Sequence, residues 1–202
     1  MSVKIALIVE GKTERAFMPI LRNYLERHLA GAMPKIKTIS PDGRIPKGEK
    51  LKKMVKLLLD KHDHVIALTD VYTGTSDFAN AEEAIQKMRQ WIGPEKRFHP
   101  HAAQHDFEAW LIPYWDRIQR IAKSDVPAPP GAPESVNHDN PPSKRIIQAF
   151  QRGELRKDYK KTVDAANILK DQDLQVAINQ CPCLKALVNT ILHTICGKPP
   201  LG

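Results

Sequence analysis

The sequence is poor in several things, and each shortage excludes something. Cysteine occurs only 3 times in 202 residues. An odd, small number does not build a disulfide framework, so the fold has to be held by an apolar core. No apolar run approaches the roughly 20 residues needed to cross a bilayer. The amino-terminal residues run straight into an apolar segment, without the charged-then-apolar order of a secretory leader. Both features lead us to expect a cytoplasmic protein with no membrane role. Aromatic residues make up only 6%. They do not interleave with the basic clusters, which argues against a base-stacking platform. Carboxylates are outnumbered: 23 Asp and Glu against 31 Lys and Arg give a formal charge of +8 and a pI near 9.4. A basic surplus suits an anionic partner, of which nucleic acid, DNA or RNA, is the commonest. Hydrophobic residues, at 42%, are ample for the core of one large domain or of one domain with an extension.

The stretch Val3 to Leu25, VKIALIVEGKTERAFMPILRNYL, organises the chain. Ile5 to Val9 is long enough for a buried strand. It stops at Glu10–Gly11, and Phe17, Ile20, Leu21, Tyr24, Leu25 and Leu29 then recur at helical spacing. This is strand, tight turn and helix, begun at Gly11 or Thr13, with Glu10 at the strand's carboxyl end. Glu14 lies in the first helical turn, where a carboxylate favours the positive end of the helix. In α/β folds that end of the sheet is where ligands sit. The tripeptide Gly11-Lys12-Thr13 is not a phosphate-binding P-loop. That motif needs a glycine at position 6, where Ala6 stands.

The same grammar repeats. Lys35–Ile39 alternates as a second strand, and the Pro- and Gly-rich 40–48 is a loop. Leu51 to Leu59 marks an amphipathic helix. His64–Thr69 is a third strand that ends at Asp70, and 70–78 is a loop. Ala81 to Ile92 is a helix, and Phe98–Gln104 is a weaker fourth strand that delivers His105, Asp106 and Glu108. Strands alternating with helices predict an α/β fold: about four mainly parallel strands flanked by helices, with right-handed crossovers. Val126 to Pro142 is too rich in proline for a regular helix or central strand. Helical segments follow at Lys144–Gln151, Val163–Leu169 and the periodic run from Leu184 to Ile195. We therefore expect an α/β core over residues 1–125, a proline-rich loop over 126–142, and a helical carboxyl-terminal part over 143–202 packed on the core.

Three strand ends thus bring Glu10 with Glu14, Asp70 and Glu108 to one rim. Clustered carboxylates repel unless a cation sits between them. Oxygen-only sites of this kind suit Mg²⁺ or Mn²⁺, which can polarise a phosphate and activate water. Taken one at a time, each acid has a plain structural account as a turn or helix-start residue. Their coincidence at three strand ends is the signal.

A strand ending in Glu-Gly, a Glu four residues on, and a later strand ending in Asp resemble the Toprim superfamily of topoisomerases, primases and OLD-type nucleases. The segments VEGKTERAF, LTDVYTGTSDF, QHDFEAWL and DYKKT…CPCL are similar, more narrowly, to a bacterial Toprim-like family of unknown function, of the DUF4276 type. The likeness runs from Lys4 to about Leu192. It implies a Toprim-like (Rossmann-like) core and divalent-metal-dependent phosphodiester chemistry, with Glu10 as general acid/base or metal-linked glutamate and Asp70 as metal ligand. Toprim proteins carry Asp-x-Asp where this chain has Asp70-Val71-Tyr72, so either Glu108 or Asp77 supplies the missing charge or the site binds one metal; the narrower family resembles this chain in having Tyr there. The expected ion site is Glu10, Asp70 and Glu108, supported by Glu14, with Lys12 and Lys160 as phosphate contacts. The resemblance also implies a nuclease working beside an ATPase partner in bacterial defence. The other reading is a nucleic-acid-binding or regulatory module without catalysis, and homo-oligomerisation is compatible with either.

Three further groups carry weaker signals. Cys181, Cys183, His193 and Cys196 are spaced unlike the usual zinc pairs. His99, His101 and His105 cluster near strand four, where alternation in a half-exposed strand accounts for the first two. Two basic sets, Lys35 to Lys56 and Arg152 to Lys161, suit phosphates or a solvated face equally.

Overall fold

The computed structural model describes residues 2–31, 33–41, 43–71, 77–135, 140–155 and 157–201, without the Lys12 side chain. Four strands, β1 (Lys4–Val9), β2 (Lys35–Ile39), β3 (His64–Asp70) and β4 (Phe98–Ala103), form one sheet in the order β2-β1-β3-β4. All three pairings are parallel. The connections are α1 (Lys12–Leu29), α2 (Gly48–Leu59) and α3 (Ala81–Ile92). The architecture is thus the expected α/β sheet. Its strand order makes the chain reverse direction across the sheet between β1 and β3, and at such a switch point loops part and leave a crevice at the strands' carboxyl ends.

Alternation along the strands divides the core. Ile5, Leu7 and Val9 of β1, with Ile66 and Leu68 of β3, face α1 and the carboxyl-terminal helices. Ala6, Ile8, Val65 and Ala67 face the other way, onto Leu51 and Val55 of α2 and Met88 and Ile92 of α3. Both faces are covered, which is why β1 reads as an unbroken apolar run rather than an alternation.

After β4 the chain makes a 3₁₀ helix at Phe107–Tyr114 and then α4 (Trp115–Ala122). The described residues of the proline-rich stretch before α5 are irregular apart from a 3₁₀ turn at Pro133–Ser135. Four helices follow: α5 (Pro142–Arg152), α6 (Lys161–Leu169), α7 (Leu174–Gln180) and α8 (Pro182–Asn189), the last running into π-helical turns at Thr190–Ile195. The α7 helix is not expected from the sequence. The single periodic helix expected from Leu184 to Ile195 is instead α-helical and then π-helical. The helices share the sheet's larger core: Phe17 of α1 meets Phe107 edge-on at 5.6 Å and Trp110 at 5.8 Å. Such aromatic pairs contribute about 1 kcal/mol each beyond their buried area.

Candidate functional site

The carboxyl ends of β1 and β3 and the segment after β4 open onto one cleft of about 400 Å³. Glu10, Glu14, Asp70 and Glu108 all line it, together with Arg44, Phe107 and Lys161. The structure therefore brings the four sequence-predicted acids to one rim.

Each acid is positioned by its own local structure. Glu10 is the first residue past β1, and its Oε1 accepts the Thr69 hydroxyl and the Asp70 N–H, the latter at 3.3 Å. Gly11 caps α1, and Glu14 Oε2 reaches back to the Gly11 N–H at 3.1 Å. This closes the glutamate half of a capping box. A Cβ on residue 11 would stand 3.1 Å from Glu14 Oε2, so glycine lets this carboxylate fold back over the turn. Asp70 ends β3. His105 then takes φ +72°, a left-handed conformation uncommon outside glycine though one that histidine adopts more readily than most residues, and turns the chain after β4. Asp106 and Glu108 follow, 3% and 1% exposed.

Asp106 is the acid that sequence reasoning does not assign to the site. Its Oδ2 accepts the Ser143 N–H of α5 at 3.1 Å, while its buried Oδ1 has no hydrogen bond among the described residues. A buried carboxylate oxygen left so is costly unless protonated or matched by a cation. Glu108 Oε1 lies 3.3 Å from Lys161 Nζ. Lys161 opens α6 and reaches the cleft from the carboxyl-terminal helices, as Arg44 does from the basic loop. Its neighbour Lys160, the expected phosphate contact, is exposed, and its backbone N–H is held by Asp164 at 2.6 Å. The Lys12 side chain and Tyr72 lie outside the described residues. Asp77 is turned to the basic loop, 2.6 Å from Lys47 and 3.6 Å from Arg44.

The electrostatics follow from burial plus crowding. Burial, then Glu10 and Glu108, pushes Glu14 up to about 7. Burial and Glu108 do the same to Asp106, also to about 7. Asp70 is raised well above the ordinary range by burial first and then by Glu14, Glu10, Asp106 and Glu108. Burial raises Glu10 too, against its hydrogen bonds and the nearby Arg44 and Lys47. Burial alone would lower the Lys161 ammonium, but Glu108 and Asp106 hold it above its usual value. These groups share one field, and at neutral pH it calls for protons or a cation.

Among the described residues, no three His, Cys, Asp or Glu side chains stand close enough together to hold a metal ion as they are placed. The reason is visible in the bonds above: Thr69, Gly11, Ser143 and Lys161 each hold one acid. The donor set itself fits a hard divalent ion: oxygen only, with an unmatched Asp106 oxygen. The cysteines are free. Cys181 is buried with its Sγ toward the Ala109 carbonyl at 3.9 Å, and nothing among the described residues gathers the three into a zinc site.

Residues 9–192 match the model of a family described as a domain of unknown function, DUF4276. No curated protein matches the chain. Among solved structures, the chain is similar to the C-terminal region of the Burkholderia pseudomallei OLD protein. Identity is 14%, coverage 92% of this chain and 98% of that one, and the TM-score 0.49. It is also similar to the C-terminal region of the Xanthomonas campestris pv. campestris OLD protein, at 17% identity with 96% and 99% covered and a TM-score of 0.45.

Proposed function

The chain belongs to the DUF4276 family, and from that premise and the acidic rim we propose divalent-metal-dependent phosphodiester chemistry on nucleic acid, in its simplest form a nuclease. The observation that carries the reading is the gathering of five carboxylates at the sheet's switch point, Glu14, Asp106 and Glu108 buried and Glu10 and Asp70 half-buried at the cleft. A protein that needed only stability would replace such a group with apolar side chains, because buried like charges cost free energy. A cation offsets that cost and supplies chemistry. Mg²⁺ or Mn²⁺ held there would polarise a phosphate oxygen and activate a water molecule. Glu10, Asp70 and Glu108, with Asp106 beside them, are the residues that would hold the ion. Arg44 and Lys47 flank Glu10 on the basic loop, and with Lys161 they would draw a phosphate backbone in.

A second reading, nucleic-acid binding without cleavage, is favoured by one observation. Glu108 is already engaged by Lys161, so an internal cation partly answers the need for an external one. The readings are separated by metal. In the first, Mn²⁺ or Mg²⁺ raises the melting temperature of the wild type, since a ligand that binds only the folded form stabilises it, and the same ions switch on cleavage of plasmid DNA or RNA. Glu10→Gln and Asp70→Asn keep the side-chain size and should gain less from the ion and lose cleavage. Equal metal-induced shifts in the wild type and both variants would remove this site from consideration. An ATPase partner in a bacterial defence system fits the same reading.

A further inference from the structure

Two histidines that this reading does not use lie toward the other end of the sheet. His64 opens β3 and His99 is the second residue of β4. Ile66 is the register partner of His99. Because alternate residues share a face, His64, His99 and His101 fall on one face of the sheet. His101 is engaged by Thr190, with Nε2 2.9 Å from Oγ1. The other two rings meet each other: His64 Nδ1 is 3.0 Å from His99 Nε2, and the ring centroids are 5.2 Å apart. Both side chains are half-buried, so one side of the pair remains open to water.

That separation has a chemical meaning beyond a hydrogen bond. First-row ions bind imidazole nitrogen at about 2.0–2.1 Å. Two such bonds at neighbouring coordination positions place the nitrogens about 2.9–3.4 Å apart, by the geometry of those bond lengths. We propose that His64 and His99 form a two-imidazole site for a borderline first-row ion, Zn²⁺, Ni²⁺ or Cu²⁺, held by His64 Nδ1 and His99 Nε2 with water in the remaining positions. Imidazole suits these ions, whereas Mg²⁺ and Mn²⁺ prefer the oxygens of the acidic rim, so the two sites select different metals.

Protonation does not oppose binding. Burial and its neighbours His64 and Arg89 lower His99 to about 4, and burial also lowers His64. Both rings are therefore neutral at neutral pH, the state a metal requires. In the neutral pair one ring donates its N–H to the other. For both contact nitrogens to offer lone pairs, that donor ring has only to carry its proton on its other nitrogen, and no net proton is lost. Asp63 attracts the ion, while Arg97 and Arg89 repel it. Among the described residues no third His, Cys, Asp or Glu completes the site, so the affinity is that of a bidentate chelate.

The test is a calorimetric titration of the full chain with Ni²⁺ in saturating Mg²⁺, which keeps the acidic rim engaged. One Ni²⁺ per chain is expected. His64→Gln and His99→Gln should each weaken it at least about tenfold, because each removes one of two protein ligands, while Glu10→Gln should leave it unchanged. Absence of Ni²⁺ binding in the wild type, undiminished binding in both histidine variants, or loss in Glu10→Gln alone would each overturn the proposal. Electron paramagnetic resonance of the Cu²⁺-loaded wild type decides the matter even where a variant fails to fold. Coupling to two imidazole nitrogens supports the site, and coupling to one or none rejects it. Neither result bears on cleavage at the carboxylate rim, so this inference and the proposed function stand or fall separately.

Discussion

Glu14→Gln is the sharpest probe of the acidic rim, because it removes one charge and little else. Glu14 is 5% exposed, and the hydrogen bond it accepts from the Gly11 N–H can equally be accepted by a glutamine carbonyl oxygen. The side chain is nearly isosteric, so the α1 cap and the local packing should survive. What changes is ionisation. Burial, then Glu10 and Glu108, lifts the Glu14 carboxyl from 4.5 to about 7. The unfolded chain holds the ordinary value, so between those pH values the folded state binds more protons. Stability is then fully present below about pH 4.5 and is lost as pH rises through 7. At 1.36 kcal/mol per unit, the loss at and above neutrality amounts to about 3 kcal/mol. That is an upper figure, because Glu10 or Asp70 can take up a proton in its place.

Glutamine cannot ionise and escapes the loss. In chelator-treated protein, urea melts from pH 4.5 to 8.5 should show Glu14→Gln level with the wild type at the acid end and increasingly more stable toward the alkaline end. For a chain of this size, a gain of that order raises the melting temperature by roughly 6–12 °C. With saturating Mn²⁺ the advantage should shrink or reverse, since the ion offsets the repulsion in the wild type. A gain that does not vary with pH, or a variant less stable throughout, would refute the claim that charge crowding governs this rim.

Three further outcomes follow from other parts of the molecule. Burial first, then His99 and Arg89, lowers His101 to about 4. Its folded value lies below its unfolded one, so stability present above about pH 6.5 is lost as pH falls toward 4, by about 3 kcal/mol in all. Replacing it with glutamine should flatten that acid limb in urea melts. A Cβ on Gly153 would stand 2.0 Å from the Ala122 carbonyl oxygen, a backbone atom. Gly153→Ala should therefore cost about 3 kcal/mol or more by overpacking, and a wild-type denaturation midpoint would contradict that geometry. If Arg44 and Lys47 bind phosphates, replacing both with alanine should weaken nucleic-acid binding. The log-salt slope should fall by about 0.9 for each phosphate no longer neutralised, as fluorescence anisotropy at several salt concentrations would measure.

The α/β layout is legible because both sheet faces are covered. Burial on two sides leaves runs such as IALIV and VIAL with no polar interruption, and each run is closed by a carboxylate and a turn. The helices between them keep one apolar stripe, as with Leu51 and Val55 in α2. Legibility fails where local pattern and tertiary demand part. The α7 helix is only 7 residues long, too short for periodicity to rise above noise. The run from Leu184 to Ile195 has even helical spacing, yet it passes into π-helix at Thr190, the residue that bonds His101 on β4. That long-range bond leaves no mark in the spacing of the apolar residues.

The site divides along the same line. Glu10, Glu14 and Asp70 can be found because they sit where regular elements end, and element ends can be read from a sequence. Asp106 can be placed at the end of the fourth strand but not assigned to the site, because the turn that presents it hangs on one residue, His105 at positive φ, and histidine does not advertise that conformation as glycine would. The D-x-E spacing of Asp106 and Glu108 is the available signal. Lys161 is indistinguishable from Lys160 by composition. Which of the two faces the acids is decided by where α6 begins, and Asp164 fixes that start by capping the Lys160 N–H. The cation that meets Glu108 is therefore placed by a hydrogen bond far downstream of it in sequence. The carboxyl-terminal helices supply part of the charge balance of the cleft as well as covering the sheet, and a chain truncated before α6 would lose the ammonium that steadies Glu108.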